Sequence, residues 1–350
     1  MRWPWARLYS ADRVVVSWDG HAVAYVRSRG SDDAGWEVLE AGVVEHGAGT
    51  LEAVVAQLDA AHLRGCSVHF MLKPDQYSLL QIPAPPVPAE EMKSAARYQI
   101  RELVNIHIDD LAMDVLPLGD GHQKINPQVF VVATTNTMVR SLLDLAKALE
   151  WSGDVIDVQE TCQRNLQSAL AQRDGKLDQA EACLMVSADN KALITISNHG
   201  ELYYTRRLDL PEGFMTAEWT KDEPVLENVP EAYTPVVEYV PSYAASNTLG
   251  TAPAASADVD RTHRLVVELQ RSLDLWDRAW SQYPLAGLRV YANERTTELA
   301  TWLSAEMGQV VVGMELDSVF KGLDHIAAEH RSVCVPLLGL LLRNGAKVAG

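Results

Sequence analysis

Two short stretches of this chain, 170 residues apart, are versions of one another, and a fold that must build the same hairpin twice is tightly constrained. Val16-Ser17-Trp18-Asp19-Gly20-His21-Ala22 aligns with Val186-Ser187-Ala188-Asp189-Asn190-Lys191-Ala192, four of the seven positions being identical. In each, apolar β-forming residues flank an Asp-Gly or Asp-Asn pair, the chemistry of a two-residue type I′ turn with positive φ at both positions. Tight turns are therefore predicted at Asp19-Gly20 and Asp189-Asn190. A third strand follows each hairpin, Trp36 to Val44 in the first half and, after the turn Asn198-His199-Gly200, Glu201 to Leu210 in the second. Helical spacing then puts Leu51, Val54, Val55 and Leu58 on one face, and Cys66 to Leu72 returns as a strand. The pattern predicts a duplicated α/β protein.

The remaining elements fit two domains, residues 14–155 and 156–345, preceded by a tail of residues 1–13. The run Ile82-Pro83-Ala84-Pro85-Pro86-Val87-Pro88 is predicted to forbid regular structure. After it Ala89 to Val104 reads as a helix with Met92, Ala96, Ile100 and Leu103 along one side, opening an inserted subdomain of about residues 83–128. Val129 to Thr134, a helix from Met138 to Leu149 and a strand from Asp154 to Val158 close the first domain. In the second, a helix Glu160 to Gln172 leads into the strands Cys183 to Ala188 and Lys191 to Ser197. A long helix, His263 to Tyr283, buries Leu265, Leu269, Leu273, Trp276 and Trp280. Leu288 to Tyr291 and Gln309 to Val312 are strands around a helix Glu294 to Met307, and Val333 to Arg343 is expected as a closing apolar helix.

Charge narrows the function. Thirty Lys and Arg stand against 47 Asp and Glu, a net −17. Residues 217–260 hold eight acids and one Lys, so this Pro-rich acidic excursion carries −7 and the other 306 residues share −10. Surplus negative charge repels phosphate backbones, and with no Walker loop or Gly-rich fingerprint present a nucleic-acid partner is not expected. No apolar run approaches the roughly 18 residues of a membrane span, and the four scattered cysteines suit a reducing compartment, so a cytoplasmic protein is expected. Three catalytic constellations fail on spacing: His325 with Glu329-His330 matches no zinc-protease order, Ser318 and Lys321 lack their companion motifs, and Asp109, Asp110 and Asp114 lack the glycine turn of a cation loop. Arg2, Trp3, Trp5, Arg7 and Arg13 mix basic and aromatic character, which suits an anionic membrane surface, although a tail folded onto the first domain is the favoured reading.

The run Ala95-Ala96-Arg97-Tyr98-Gln99-Ile100-Arg101-Glu102-Leu103-Val104, with Ile108-Asp109-Asp110 and Met113-Asp114, resembles the inserted-subdomain helix of the PilM family, actin-like cytoplasmic proteins of type IV pilus assembly. Glu268-Leu269-Gln270-Arg271-Ser272-Leu273-Asp274 and Pro336-Leu337-Leu338-Gly339-Leu340 are similar more closely to the MshI branch, of the mannose-sensitive haemagglutinin (MSHA) pilus. The resemblance implies a duplicated actin/hexokinase/Hsp70-type ATPase fold with a small inserted subdomain. It implies hairpin tips of the form Asp-x-Gly that hold magnesium and phosphates, and a Gly-Gly pair near the base. Here Ser17 and Ser187 stand where the acids belong, with Asp19-Gly20 and Asp189-Asn190 following, and Asn293 occupies the region of the Gly-Gly pair. The nucleotide motifs are thus degenerate, and a scaffold without catalysis or cofactor is expected, an ATP- and magnesium-binding ATPase being the alternative.

As partner, the resemblance implies the cytoplasmic N-terminal peptide of a PilN-like bitopic inner-membrane protein, received beside the inserted subdomain. It further implies the pilus motor ATPase and a peripheral place at the inner membrane. Lys93, Arg97 and Arg101 recur every four residues as a basic stripe and, with Tyr98 and Ile106, are the candidate peptide contacts; a solvated helix face and core packing are the plainer readings. A type II secretion L-type platform component is a further alternative.

Overall fold

A computed structural model describes residues 12–31, 34–47, 50–121, 126–187, 189–219 and 254–343. Arg2, Trp3, Trp5 and Arg7, and residues 220–253 of the acidic excursion, lie outside the described residues.

The first lobe begins with three antiparallel strands, β1 (Asp12–Trp18), β2 (Ala22–Ser31) and β3 (Gly35–Glu45). Helix α1 (Leu51–Ala60) leads into β4 (Ser67–Leu72), parallel to β1. The inserted subdomain follows as β5 (Ser78–Pro83), α2 (Ala89–Ile100), β6 (Leu111–Pro117) and β7 (Gln128–Thr135), a three-stranded sheet ordered β5-β7-β6. Helix α3 (Asn136–Ala148) and β8 (Ser152–Val158), parallel to β4, complete this lobe. Helix α4 (Gln159–Arg173) crosses to the second lobe, built from β9 (Ala180–Val186), β10 (Lys191–Asn198), β11 (Glu201–Asp209), α5 (Ala254–Ala279), β12 (Leu285–Tyr291), α6 (Thr296–Met307) and β13 (Val311–Gly313). The chain then returns through β14 (Phe320–Lys321), which pairs with β3, and ends in α7 (Arg331–Cys334) and a 3-10 segment, Val335–Leu340.

The two main sheets are ordered β14-β3-β2-β1-β4-β8 and β11-β10-β9-β12-β13. Apart from the appended β14, the orders match strand for strand, and so do the directions: an antiparallel meander, then two parallel strands added on the far side of its first strand. The duplicated α/β architecture expected from the hairpins is present. Each meander arises from β-branched runs that alternate faces. In β1, Val14 and Val16 face a core with Val54 and Leu58 of α1, while Val15 faces a second core that both lobes share. The shared core takes Val15, Ala24 and Met71 from the first lobe, Cys183, Met185 and Tyr291 from the second, and Leu337 to Leu341 from the end of the described chain.

Several local expectations need correction. The Pro-rich run does not exclude structure at its start, because β5 includes Ile82 and Pro83; Pro83 sits at the end of an edge strand, where a missing N–H breaks no ladder. Helix α2 stops at Ile100, so Leu103 falls outside it and is 60% exposed. The excursion expected over residues 217–260 is corrected at both of its ends: Ala217 and Trp219 are buried in the second lobe, and α5 begins at Ala254. The closing helix is only four residues of α7 followed by 3-10 turns. Pro336 lacks an N–H, and Gly339 lies so close to the Cys162 carbonyl that a Cβ would stand 2.1 Å from its oxygen, so close backbone approach replaces the regular helix.

Candidate functional site

The two hairpins approach each other across the lobes, and their tips differ from the turns the sequence suggests. In the first, the Asp19 N–H donates to Ala22 O (3.3 Å), so the central pair is Gly20-His21 and only Gly20 has positive φ, +86°. The shift has a cause in Asp19 itself. Its carboxylate accepts from the backbone N–H of His21 (2.9 Å) and Ala22 (2.8 Å) and pairs with Lys73 Nζ, which holds it at the base of the turn. Burial alone would raise the Asp19 carboxyl, but the bonds from Lys73 and the two amides outweigh it and bring the pKa down to about 2. Trp18 turns away from the cleft, donating through Nε1 to His46 Nε2 (3.0 Å).

The second tip is a wider loop closed by Ser187 N–H donating to Lys191 O (2.9 Å), with Asn190 at φ +57°. Asp189 is held by Ser187 Oγ and by Lys191 Nζ (3.3 Å); burial opposes its ionisation, and these bonds still keep its carboxyl below the ordinary value. Two positive φ values in succession occur instead at His199-Gly200, between β10 and β11, where the type I′ geometry is realised.

Between the tips lies a cleft of about 660 Å³. Ala24, Met71, Met185, Leu193 and Pro336 line its apolar part, and Ser17, Lys73, Ser187, Asp189, Lys191 and Arg207 its polar part. Each cation is already engaged within the chain. Lys73 holds Asp19, Lys191 holds Asp189, and Arg207 reaches across the lobes to Glu160 (2.6 Å) and the Tyr77 hydroxyl. Tyr77 donates in turn to Glu160, and burial followed by that carboxylate pushes its phenol well above the ordinary value, so it stays a neutral donor. The set fits a magnesium-bound phosphate poorly: Ser17 offers a hydroxyl where an acid would serve, Asp19 is occupied by Lys73, and among the described residues that line the cleft each cation is already paired. Among the described residues no group of three or more His, Cys, Asp or Glu is arranged to hold a metal ion.

The sequence candidates are therefore brought together only in part. Ser17, Ser187 and Asp189 share the cleft, Asp19, Gly20 and Asn190 stand at the turns, and Asn293 lines a separate groove of about 1160 Å³ with Tyr291, Thr296 and Asp317. The basic stripe is divided, and its Arg101 lies just past the end of α2. Arg97 turns to brace the subdomain, donating to the carbonyls of Ile108 (3.1 Å) and Leu111 (2.9 Å), while Lys93 pairs with Asp114 (3.5 Å) and Arg101 with Glu102 (3.2 Å) at the surface. Ile106 packs partly against the subdomain core, and Tyr98 is 70% exposed. Lys73, Tyr77, Glu160 and Arg207 escaped the sequence reading. Their partners lie between 47 and 130 residues away, and no motif or period marks such pairs.

The subdomain also touches the second lobe directly. Gly119 N–H donates to Leu202 O (2.8 Å), Leu118 and Phe130 pack on Leu202, and Tyr203 lies so near Gly119 that any Cβ there would collide with its ring.

No known protein-family model matches the chain, and neither does any curated protein. Solved structures do. The chain is similar to a structure described as the PilM-PilN type IV pilus biogenesis complex, with 16% identity, 95% of this chain and 98% of that chain covered, and a TM-score of 0.62. It is also similar to the cytoplasmic domain of EpsL, an inner membrane component of the type II secretion system of Vibrio cholerae (16% identity, 61% and 78% covered, TM-score 0.39). A Bacteroides thetaiotaomicron protein with an actin-like ATPase fold and unknown function matches over 96% of this chain and 97% of its own at 10% identity, with a TM-score of 0.45. The fold is the actin-like ATPase fold. Among the described residues no helix is long and apolar enough to cross a membrane.

Proposed function

We propose that the chain is a scaffold or adaptor of a type IV pilus assembly machine, of the MSHA type, that binds the cytoplasmic N-terminal peptide of a PilN-like bitopic inner-membrane protein and performs no catalysis. On this reading it works in the cytoplasm, is held at the inner membrane through its partners, and presents a further surface to the pilus motor ATPase. The observation that carries the reading is a contrast within one molecule. The ions that would meet a nucleotide's phosphates are consumed by the chain's own pairs, whereas the inserted subdomain leaves Tyr98 and Leu103 uncovered beside Arg101. Exposed aromatic and aliphatic side chains next to an arginine are the composition of a protein-binding surface. The whole-chain likeness to the PilM-PilN structure supports the choice of partner class.

Calorimetry with synthetic N-terminal peptides of bitopic pilus proteins tests the claim. Micromolar binding is expected, weakened about tenfold or more by Tyr98→Ala. Absence of binding to every such peptide would remove the adaptor reading. A parallel titration with magnesium and ATP separates the alternative ATPase: micromolar nucleotide affinity in the unaltered chain would overturn the non-catalytic part while leaving the peptide result to be judged alone.

A further inference from the structure

We propose that the interlobe cleft is a binding site for an uncharged aromatic group that presents one hydrogen-bonding atom to Ser17. The starting observation is a buried polar group without a partner. Ser17 is 2% exposed, and its Oγ makes no hydrogen bond among the described residues. A hydroxyl shut off from water and left unpaired is costly, so a native structure that keeps one calls for an explanation, and a ligand that completes it is one such explanation.

Strand geometry says where that hydroxyl belongs. Along β1, Val14 and Val16 face the α1 side, and Val15 faces the core between the lobes. Ser17 shares the face of Val15 by the two-residue period, and its cross-strand neighbour Ala24 lies in the same interlobe core. Both line the cleft. The surrounding wall is apolar and comes from both lobes, with Met71 from the first and Met185 and Leu193 from the second. Methionine sulfur makes favourable contacts with aromatic rings, and these two residues bring a thioether from each side. A volume of about 660 Å³ falls within the range of small-molecule sites, and an apolar floor with a few polar groups around it is the usual composition of one.

The rim decides the charge. Lys73, Lys191 and Arg207 are paired with Asp19, Asp189 and Glu160, while Asp75 and Asp209 also line the opening. An anion entering would find these three cations already paired and two further carboxylates nearby, so it would lose hydration without gaining a counter-charge from them. The site therefore discriminates against anionic ligands of the same shape. This inference stands apart from peptide binding at the inserted subdomain, and either can fail alone.

The test uses the full chain with its methionine methyl groups carbon-13 labelled and two probes of one shape, indole-3-acetamide and indole-3-acetate. The amide is expected to bind and to shift the Met71 and Met185 methyl signals, with the acetate at least about tenfold weaker. Ser17→Ala removes only the unpaired hydroxyl, so the variant should fold at least as well as the parent while losing about tenfold in amide affinity. No saturable binding of the amide, equal affinity for the two probes, unchanged affinity in Ser17→Ala, or shifts confined to other methionines would each overturn the proposal.

Discussion

At the scale of single residues, Asp19 shows how an acid at a hairpin tip can be held by the chain's own groups. The sequence offers Asp19 as a turn residue, and the structure makes it the anchor of Lys73. Because its carboxyl titrates near 2 when folded, against an ordinary value of 3.8, folding favours the ionised form. The resulting stabilisation is complete above about pH 4 and is lost as pH falls through about 2. Solvent around the pair limits it, and we expect about 1 kcal/mol. Lys73→Met should therefore raise the Asp19 pKa, seen as a later midpoint in a carboxyl-carbon NMR titration, and cost about 1 kcal/mol at neutral pH by urea unfolding. An unmoved Asp19 titration in that variant would show that the two backbone amides hold the carboxylate without Lys73.

At the scale of elements, glycine positions and buried polar side chains separate what the sequence reveals from what it hides. Gly339 passes the Cys162 carbonyl at a distance that admits no Cβ, and Asn165 donates to its carbonyl at 2.9 Å. Gly339→Ala must therefore displace either the 3-10 segment or α4. The expected cost is about 3 kcal/mol or more, read as a lowered denaturation midpoint, since overpacking against backbone cannot relax by a rotamer change. A loss below about 0.5 kcal/mol would show that the closing segment is loosely seated. The two meanders were legible because alternation and turn residues are local signals, and α1, α4 and α6 were legible from spacing or position. The closing segment was not, because Val333 to Leu341 is apolar on all sides and period alone cannot separate a buried helix from 3-10 turns. The roles of polar residues on α4 were hidden for a related reason. Gln163 and Gln167 are polar, yet both are buried, with Gln163 donating to the Cys183 and Leu193 carbonyls and Gln167 to Glu181 O. At the cleft, Ser17 and Ser187 were visible as departures from a motif, whereas Lys73 and Arg207, which pair with Asp19 and Glu160, lie far from either hairpin tip in the chain and carry no local mark.

At the scale of the molecule, the question is whether the two lobes move as one body. Among the features of the described residues that join them are the shared core, the contact of Gly119 and Leu118 with Leu202, and the bridge from Arg207 on β11 to Glu160 at the start of α4. The bridge is the most sensitive, because the Glu160 side chain is 3% exposed and Arg207 is the cation paired with it. Removing a cation from a buried carboxylate costs more than the pair contributes, since the remaining charge must be kept out of water. Arg207→Ala is therefore expected to lose about 3 kcal/mol, and Glu160→Gln added to it should recover a large part, a coupling of about 1–3 kcal/mol in a double-mutant cycle. The shared core predicts one further outcome. Because residues of both lobes are buried against each other, the Arg207→Ala protein should still unfold in one transition, with calorimetric and van't Hoff enthalpies in agreement. Two separated transitions would instead mean that the arginine bridge, and not the apolar core, couples the lobes. A packed core common to both halves is what the proposed scaffold would draw on, and the count of unfolding transitions in Arg207→Ala tests whether that core couples their unfolding.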